Sequence, residues 1–369
     1  MGFGNPPVAW QELEARLSGR VRPFPAEGDG GDSPAWSFHR QPYQPPTGVV
    51  RGSQAVPYAE LHCHSNFSFL DGTSHPEELV VEAARLGLSA LAITDHDGMY
   101  GVVRFAEAAA AVGLPTVFGT ELSLGLSRPQ NGVADPEGTH LVVLARDATG
   151  YARLCRAVST AQMAGREKGK PVIDLETLAA IGAGASFAPF GGQSPSSSSP
   201  DHWLILTGCR KGTVPQALVD RGPAAAAAEL AKLQRLFGPG NVAVELWDHG
   251  DPLDSVRNDA LAQLAIRAQV ELVATNNVHY HVPARRRLAT ALAAVRARRS
   301  LDEIDGWLPA AAAAHLRSGA EQLRRFARYP GVVERAARLA EACAFDLKLV
   351  APNLPPFPAP PGQTQMTWL

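Results

Sequence analysis

Short apolar runs alternate with amphipathic helical patterns from Tyr58 to about His279, and this alternation narrows the possible folds more than any other feature. Seven runs of strand length can be counted, beginning with YAELHC and ending with LVAT. Strands that alternate with helices imply a parallel sheet, and seven of them over about 220 residues suit a closed barrel. We therefore predict an α/β fold, a distorted (β/α)7 barrel, followed by a small α-helical module.

Composition divides the chain into four predicted regions and one insertion. Pro, Gly and polar residues dominate the beginning, a Ser-rich low-complexity stretch interrupts the barrel, and Ala-rich helical patterns with a Pro-rich tail follow it. The regions are an irregular leader (1–57), the barrel (58–282) with its insertion (182–200), a basic helical segment (283–350) and a Pro-rich connector (351–369).

Bulk composition favours a soluble protein. Hydrophobic residues make up 45% of the chain, but no apolar run approaches the length of a membrane span. The N-terminus has no basic start followed by an apolar stretch, so we expect no secretory signal and a cytoplasmic location. The four cysteines are far apart and form no C-x-x-C pair, which favours reduced thiols over disulfides or a zinc ribbon.

Net charge alone gives no indication of a nucleic-acid partner, because 34 basic residues oppose 36 acidic ones. The distribution is uneven. Between Pro283 and Lys348 there are 13 Lys/Arg against 7 Asp/Glu, and this excess could face the phosphates of DNA. Solvated faces of Ala-rich helices explain the same excess equally well.

The strongest local signal for a site is His62-x-His64 at the end of the first predicted strand, where period-two alternation places both imidazoles on one face. A single such pair is weak, since polar surface histidines are common. Repetition strengthens it, because ligand-type residues recur at or near successive strand ends: Asp71, His96, Glu121, His140, Cys209, Asn277 and His279.

Barrel enzymes collect reactive groups at the C-terminal ends of their strands, so these side chains should converge. Imidazoles, carboxylates and a thiolate are ligands for zinc, manganese or iron. His140 fits less obviously, because it precedes its strand. Cys209 could instead be a buried structural thiol, and His279 a core histidine. Asp95 and Asp97 flank His96 as candidate supporting residues, although an exposed loop position is the more common fate for an acid such as Asp97.

The motifs LHCHSNFSFLDG, ALAITDHDGMYGVVRF, GTELSL, HLVVLA, LTGC and ATNNVHY, taken in order, resemble the polymerase-and-histidinol-phosphatase (PHP) superfamily. The version they resemble stands at the beginning of C-family DNA polymerases. The remainder, from HVPARRRLATALAAVRARRSLDEI to APNLPPFPAPPGQTQMTWL, resembles the route towards the palm of the error-prone, alpha-subunit-like polymerases used in damage-induced mutagenesis. The resemblance therefore implies an N-terminal fragment of such a polymerase.

Intact sites of the family hold two or three divalent metals, which could be zinc, manganese or iron, through nine ligands. The resemblance implies His62, His64, Asp71, His96, Glu121, His140, Cys209, Asn277 and His279 for these positions. Asn277 departs from the family, which has an aspartate there in a D-x-H motif. An asparagine offers a carbonyl oxygen without charge, so it should bind a hard cation more weakly and could leave one metal position empty.

The resemblance implies 3′–5′ exonuclease cleavage of DNA, with replication or mutagenesis proteins as possible further partners. Two other functions stay open: a catalytically inactive domain that stabilises a polymerase, which Asn277 favours, and a small-molecule phosphatase that shares the metal motifs. The basic segment and the Pro-rich tail argue against the phosphatase. Polymerisation needs palm carboxylates that hold magnesium, and in the family these lie beyond the connector, so we expect no nucleotide incorporation by this chain.

Overall fold

The computed structural model describes residues 43–53, 55–129, 138–185, 201–304, 308 and 313–347. Contacts divide the chain into one unit of Pro45–Leu347 and another of Met1–Gln44 with Lys348–Leu369. Most of the predicted leader, most of the low-complexity insertion and the Pro-rich connector lie outside the described residues. The proposed boundary at residue 282 stays a prediction.

Six strands form one mixed sheet in sequential order. Their residues are almost all buried, as expected for strands covered on both faces. The strands are β1 (Leu91–Ile93), β2 (Thr116–Leu124), β3 (Thr139–Ala145), β4 (Trp203–Leu206), β5 (Val242–Leu246) and β6 (Glu271–Ala274). The α/β class and the distorted barrel predicted from the sequence are confirmed.

The prediction of an all-parallel sheet is wrong for β3, which runs antiparallel to both β2 and β4. A parallel neighbour needs a crossover connection, usually through a helix. The link between β2 and β3 spans only residues 125–138, and its described residues contain no helix. Because β3 is reversed, its first residues, including His140, lie at the same end of the sheet as the C-terminal end of β2.

The first predicted strand is extended but makes isolated bridges instead of a regular ladder, so the described strands number six and not seven. Residues 58–64 lie between β1 and the chain that follows β6. On one side Ala92 N donates to Glu60 O (2.8 Å), and on the other Val278 N donates to His62 O (2.8 Å). This segment, which we call the closing segment, joins the two edges of the sheet.

Ten α-helices are described, and most begin or end at residues with a clear stop or start signal. Asp147 caps α3 by accepting from Gly150 N, and Gly113 ends α2 with a φ of 65°. The helices are α1 (Pro76–Arg85), α2 (Val102–Val112), α3 (Ala148–Gly165), α4 (Leu175–Gly182), α5 (Thr213–Arg221), α6 (Pro223–Phe237), α7 (Asp254–Ala268), α8 (Arg286–Ala297), α9 (Gly319–Arg325) and α10 (Val332–Glu341). No helix in the described part of the chain is long and apolar enough to cross a membrane.

A buried polar network fastens the closing segment. Glu60 is fully buried and accepts hydrogen bonds from Tyr58 Oη (2.7 Å), His62 N (3.0 Å) and Asn276 N (3.0 Å). Arg317 extends the network by donating to Asn276 Oδ1 (2.8 Å). Burial raises the pKa of Glu60 to about 7, against the effect of these donors. The network links the beginning of the barrel to residues beyond its last strand.

Candidate metal centre

Glu121 stands at the centre of the site, because each of its carboxylate oxygens faces two imidazoles. It lies in β2 with 1% of its surface exposed. Oε1 is 3.1 Å from His140 Nδ1 and 3.4 Å from His62 Nε2. Oε2 is 3.3 Å from both His64 Nε2 and His96 Nδ1. Four histidines from three separate segments, the closing segment, the loop after β1 and β3, therefore converge on one carboxylate.

Asp71 forms a second focus next to the first. Its Oδ2 is 3.1 Å from His96 Nε2 and 3.2 Å from His279 Nδ1. His96 therefore bridges the two carboxylates through its two ring nitrogens. The His64 ring also stacks near the rings of His96 and His279, with centroids 4.4 Å and 4.9 Å away. The two carboxylates and five imidazoles thus form one continuous cluster.

Two groups of three within this cluster could each hold a metal ion. His62, His64 and Glu121 form one group, and His96, Glu121 and His140 form the other, with ligand atoms within 4.8 Å of one another in each. Glu121 belongs to both, as a carboxylate that bridges two ions would. A set of imidazole nitrogens and carboxylate oxygens suits zinc, manganese or iron better than magnesium or calcium.

Cys209 touches the cluster, whereas no hydrogen bond or ion pair joins the Asn277 side chain to it among the described residues. Cys209 Sγ lies 3.8 Å from Glu121 Oε1. Burial, and then the charge of Glu121, raise the pKa of this thiol well above its usual value, so it is protonated without a nearby cation. Asn277 is 9% exposed, and its Oδ1 is buried with no hydrogen-bond donor among the described residues. An unpaired buried carbonyl is costly unless a cation or water meets it.

Charge pairing controls protonation in the cluster. Burial lowers the pKa of His96, but hydrogen bonding to Asp71 and the charge of Glu121 outweigh it and raise the value to about 9. Burial and the neighbouring charge of His96 lower the pKa of His64 to about 3. Burial opposes ionisation of Asp71, yet His279 and His96 hold its pKa well below the usual range. The site therefore combines charged ion pairs with a neutral imidazole at His64.

Hydrogen bonds orient two imidazoles so that their Nε2 atoms face the cluster. His62 Nδ1 lies 2.7 Å from Glu245 Oε1, and a carboxylate at Nδ1 leaves the Nε2 lone pair free for a metal. The Ser68 hydroxyl donates to Asp95 Oδ1 (2.7 Å) and so can accept from His64 Nδ1 (3.3 Å). Both arrangements resemble the way that carboxylates and hydroxyls support metal-bound histidines.

Two supporting residues were missed by the sequence analysis. Glu245 is completely buried in β5, and the signal for it was a lone carboxylate within the apolar run VAVELW. Arg296, on α8, donates from Nη1 to Asp71 Oδ1 (2.8 Å), and its buried Nε has no partner among the described residues. No local pattern separates Arg296 from the other arginines of its helix.

The interpretation of Asp97 as an exposed acid is wrong, because its surface is only 6% exposed. It accepts from Ser123 N and Ser123 Oγ, both at 2.7 Å, and so ties the loop after β1 to β2. Asp95 accepts from Ser65 N (2.7 Å) and fixes the loop after the closing segment. Both acids hold the loops that carry the candidate ligands.

A family model described as "PHP domain" matches residues 60–249, a little over half of the chain. Curated relatives match all of this chain. The error-prone DNA polymerase of Mycobacterium bovis is 53% identical over 371 residues, and that of Cutibacterium acnes is 50% identical over 374. The chain spans 32% and 31% of the length of these two relatives.

Solved structures are more distant. An amidohydrolase from Chromobacterium violaceum is 19% identical, with a TM-score of 0.39 over 60% of this chain and 87% of that one. A two-domain protein from Bacteroides vulgatus that contains a predicted PHP-like metal-dependent phosphoesterase is 16% identical. Its TM-score is 0.37, over 62% of this chain and 56% of that one.

Proposed function

The chain belongs to the PHP domain family, and on that premise we propose that its barrel is a metal-dependent phosphodiesterase that cleaves DNA from the 3′ end. Relatives over the whole chain are named error-prone DNA polymerases, so we place the barrel in a polymerase of that kind. Synthesis by such a polymerase would need residues that bind magnesium, and these would lie outside the third of the relatives' length that this chain matches. DNA is accordingly the proposed partner.

The observation that carries the proposal is Glu121, shared by two groups of ligands. A carboxylate placed between two pairs of imidazoles fits a bridging role. We assign His62, His64, Asp71, His96, Glu121, His140, Cys209, Asn277 and His279 as the ligands. Ions bound in such a site lower the pKa of water and stabilise the charge that develops on a phosphate during cleavage.

The chain's own residues hold and orient this chemistry. Glu245 keeps His62 in one tautomer, and the Ser68 hydroxyl does the same for His64. Arg296 brings a positive charge to the edge of the site. With Asp71 holding a metal ion, the Arg296 guanidinium would be able to donate to a non-bridging phosphate oxygen, a pairing that arginine geometry favours.

A nuclease assay with single-stranded DNA tests the proposal. Purified chain with manganese or zinc should shorten a 5′-labelled oligonucleotide from its 3′ end. Glu121→Gln keeps the size of the side chain but removes the bridging charge, and it should reduce the rate by at least about 100-fold. Glu341→Gln, an exposed position on α10, is the matched control and should cleave like the wild type.

The same assay distinguishes the phosphodiesterase from a second candidate function. The unpaired and uncharged oxygen of Asn277 favours a domain that has lost activity and stabilises a polymerase. That function requires folded protein without nuclease activity under any metal. Equal cleavage by the wild type and Glu121→Gln would instead point to a contaminating nuclease and contradict our assignment.

A further inference from the structure

Two aromatic side chains on the loops that carry Asp71 and His96 are largely exposed. Phe69 is 80% and Tyr100 is 63% exposed. The other large apolar side chains exposed in the described part of the chain are all aliphatic or methionine. An aromatic ring left in water forgoes the favourable free energy of its burial, so these two rings are candidates for contact with a ligand.

Both rings lie on loops that also carry assigned ligands. Phe69 comes two residues before Asp71, in a turn where Asp71 N donates to Ser68 O (2.9 Å). Tyr100 comes four residues after His96 and lies against Gly98, where an added methyl group would lie 2.1 Å from the tyrosine ring. Each ring is therefore carried by a loop whose backbone also carries an assigned ligand.

The two loops are fixed to each other. His96 N donates to Ser68 Oγ (3.1 Å), and Ser68 Oγ donates to Asp95 Oδ1 (2.7 Å). A methyl group on Gly101 would lie 3.1 Å from the Phe67 ring, so the backbone of one loop touches the other. These contacts order the backbone of both loops before a ligand binds, which lowers the entropy cost of binding at Phe69 and Tyr100.

We propose that Phe69 and Tyr100 form a stacking platform for the unpaired bases at the end of a single-stranded nucleic acid. The proposal rests on the proposed function and names how that site recognises its substrate. Base stacking on aromatic rings tolerates any sequence, which suits removal of successive nucleotides. Arg296 supplies the positive charge that a nearby phosphate requires. A protein partner would instead favour a larger continuous apolar patch.

Fluorescence tests the platform without cleavage. An oligonucleotide with 2-aminopurine as its last 3′ base is bound to the chain in chelator, so that no hydrolysis occurs. Stacking should quench the fluorophore. Phe69→Leu and Tyr100→Leu, which keep apolar bulk but remove the rings, should each abolish most of the quenching and weaken binding about tenfold. Ile266→Ala removes an equally exposed apolar side chain from α7 and should change neither.

Removing the base provides the second test. With metal present, an oligonucleotide that ends in an abasic nucleotide should have a KM about tenfold higher than the normal one for the wild type. In the Phe69→Leu/Tyr100→Leu double variant the two substrates should have the same KM. Phe69→Tyr, made with Tyr100 in place, retains an aromatic ring at position 69 and should keep the wild-type difference in KM between the two substrates. If the double variant raised the KM for the normal and the abasic oligonucleotide by the same factor, the platform would be overturned. Unchanged quenching in both single variants would overturn it as well.

These readouts separate the two proposals. If neither substrate is hydrolysed with any metal, the phosphodiesterase fails, while quenching that needs both rings would still support the platform. If both are hydrolysed but the ring variants behave like the wild type, the phosphodiesterase stands and the platform is overturned. Rings that serve a protein partner would give this second result.

Discussion

Asn277 occupies a backbone conformation that few residues tolerate. Its φ is 41°, in the left-handed region where Asn and Asp are the most frequent side-chain-bearing residues after glycine. The position therefore favours glycine, asparagine or aspartate, and the last two can also offer a side-chain oxygen. An aspartate would fit the same backbone and would add a negative charge to the cluster.

Asn277→Asp should accordingly increase metal binding. We expect the weakest-bound ion to bind roughly tenfold more tightly, because the charge on the ligands sets the affinity for hard cations. Elemental analysis after dialysis at limiting manganese should give a higher ratio of metal to protein than the wild type gives. Asn277→Gly preserves the backbone without an oxygen and should give a lower ratio. An unchanged ratio in both variants would show that the side chain is not a ligand.

At the scale of elements, the antiparallel β3 decides where His140 lies. In register, Ser123 of β2 lies opposite His140, and Glu121 lies opposite Val142. Ser123 and His140 project from the same face because they lie opposite each other, and Glu121 shares that face because it lies two residues from Ser123. Glu121 and His140 therefore project from one face of the sheet. Gly119 makes this pairing close: an added methyl group would lie 2.6 Å from both Val143 O and Leu144 Cδ2.

Gly119→Ala should therefore push β2 away from β3. The carbonyl of Val143 cannot move without breaking the ladder, so we expect the free energy of unfolding to fall by about 1–3 kcal/mol. Urea denaturation followed by circular dichroism measures the change. Gly240→Ala is the matched control, since its added methyl group meets nothing within 4 Å. Similar stability for both variants would contradict the assigned packing.

The same strand shows what sequence patterns could and could not predict. Apolar runs located β2 and β3 and placed Glu121 and His140 near strand ends, because burial leaves a local periodic signal. Strand direction leaves none, so the reason for the position of His140 needed the structure. Contacts such as Arg296 with Asp71, 225 residues apart, depend on the completed fold and have no local signature.

For the whole molecule, the cluster is a link between distant parts of the chain. Its proposed ligands extend along the chain from His62, in the closing segment, to His279, which follows the last strand. An ion that binds only the folded state stabilises it by about 2.7 kcal/mol at 100 times its Kd. Binding energy of this kind should therefore appear as resistance of the entire barrel to unfolding.

Dialysis against chelator should lower the Tm of the chain by about 3–10 °C relative to manganese-loaded protein. Differential scanning calorimetry measures this, and adding manganese back should restore the higher value. Glu121→Gln should show a much smaller difference between the two conditions. A Tm that does not respond to metal in the wild type would argue that the site does not bind the ion.

The closing segment also has a consequence for the order of events during synthesis. Glu60 accepts a hydrogen bond from Asn276 N, 216 residues further along the chain. Asn276 in turn accepts a hydrogen bond from Arg317, which is synthesised later still. A ribosome makes the chain from its N-terminus, so the barrel stays open while most of its strands already exist. Closing so long a loop is slow. A nascent barrel would therefore expose its histidines and carboxylates to the metal ions of the cell before the candidate metal site is complete.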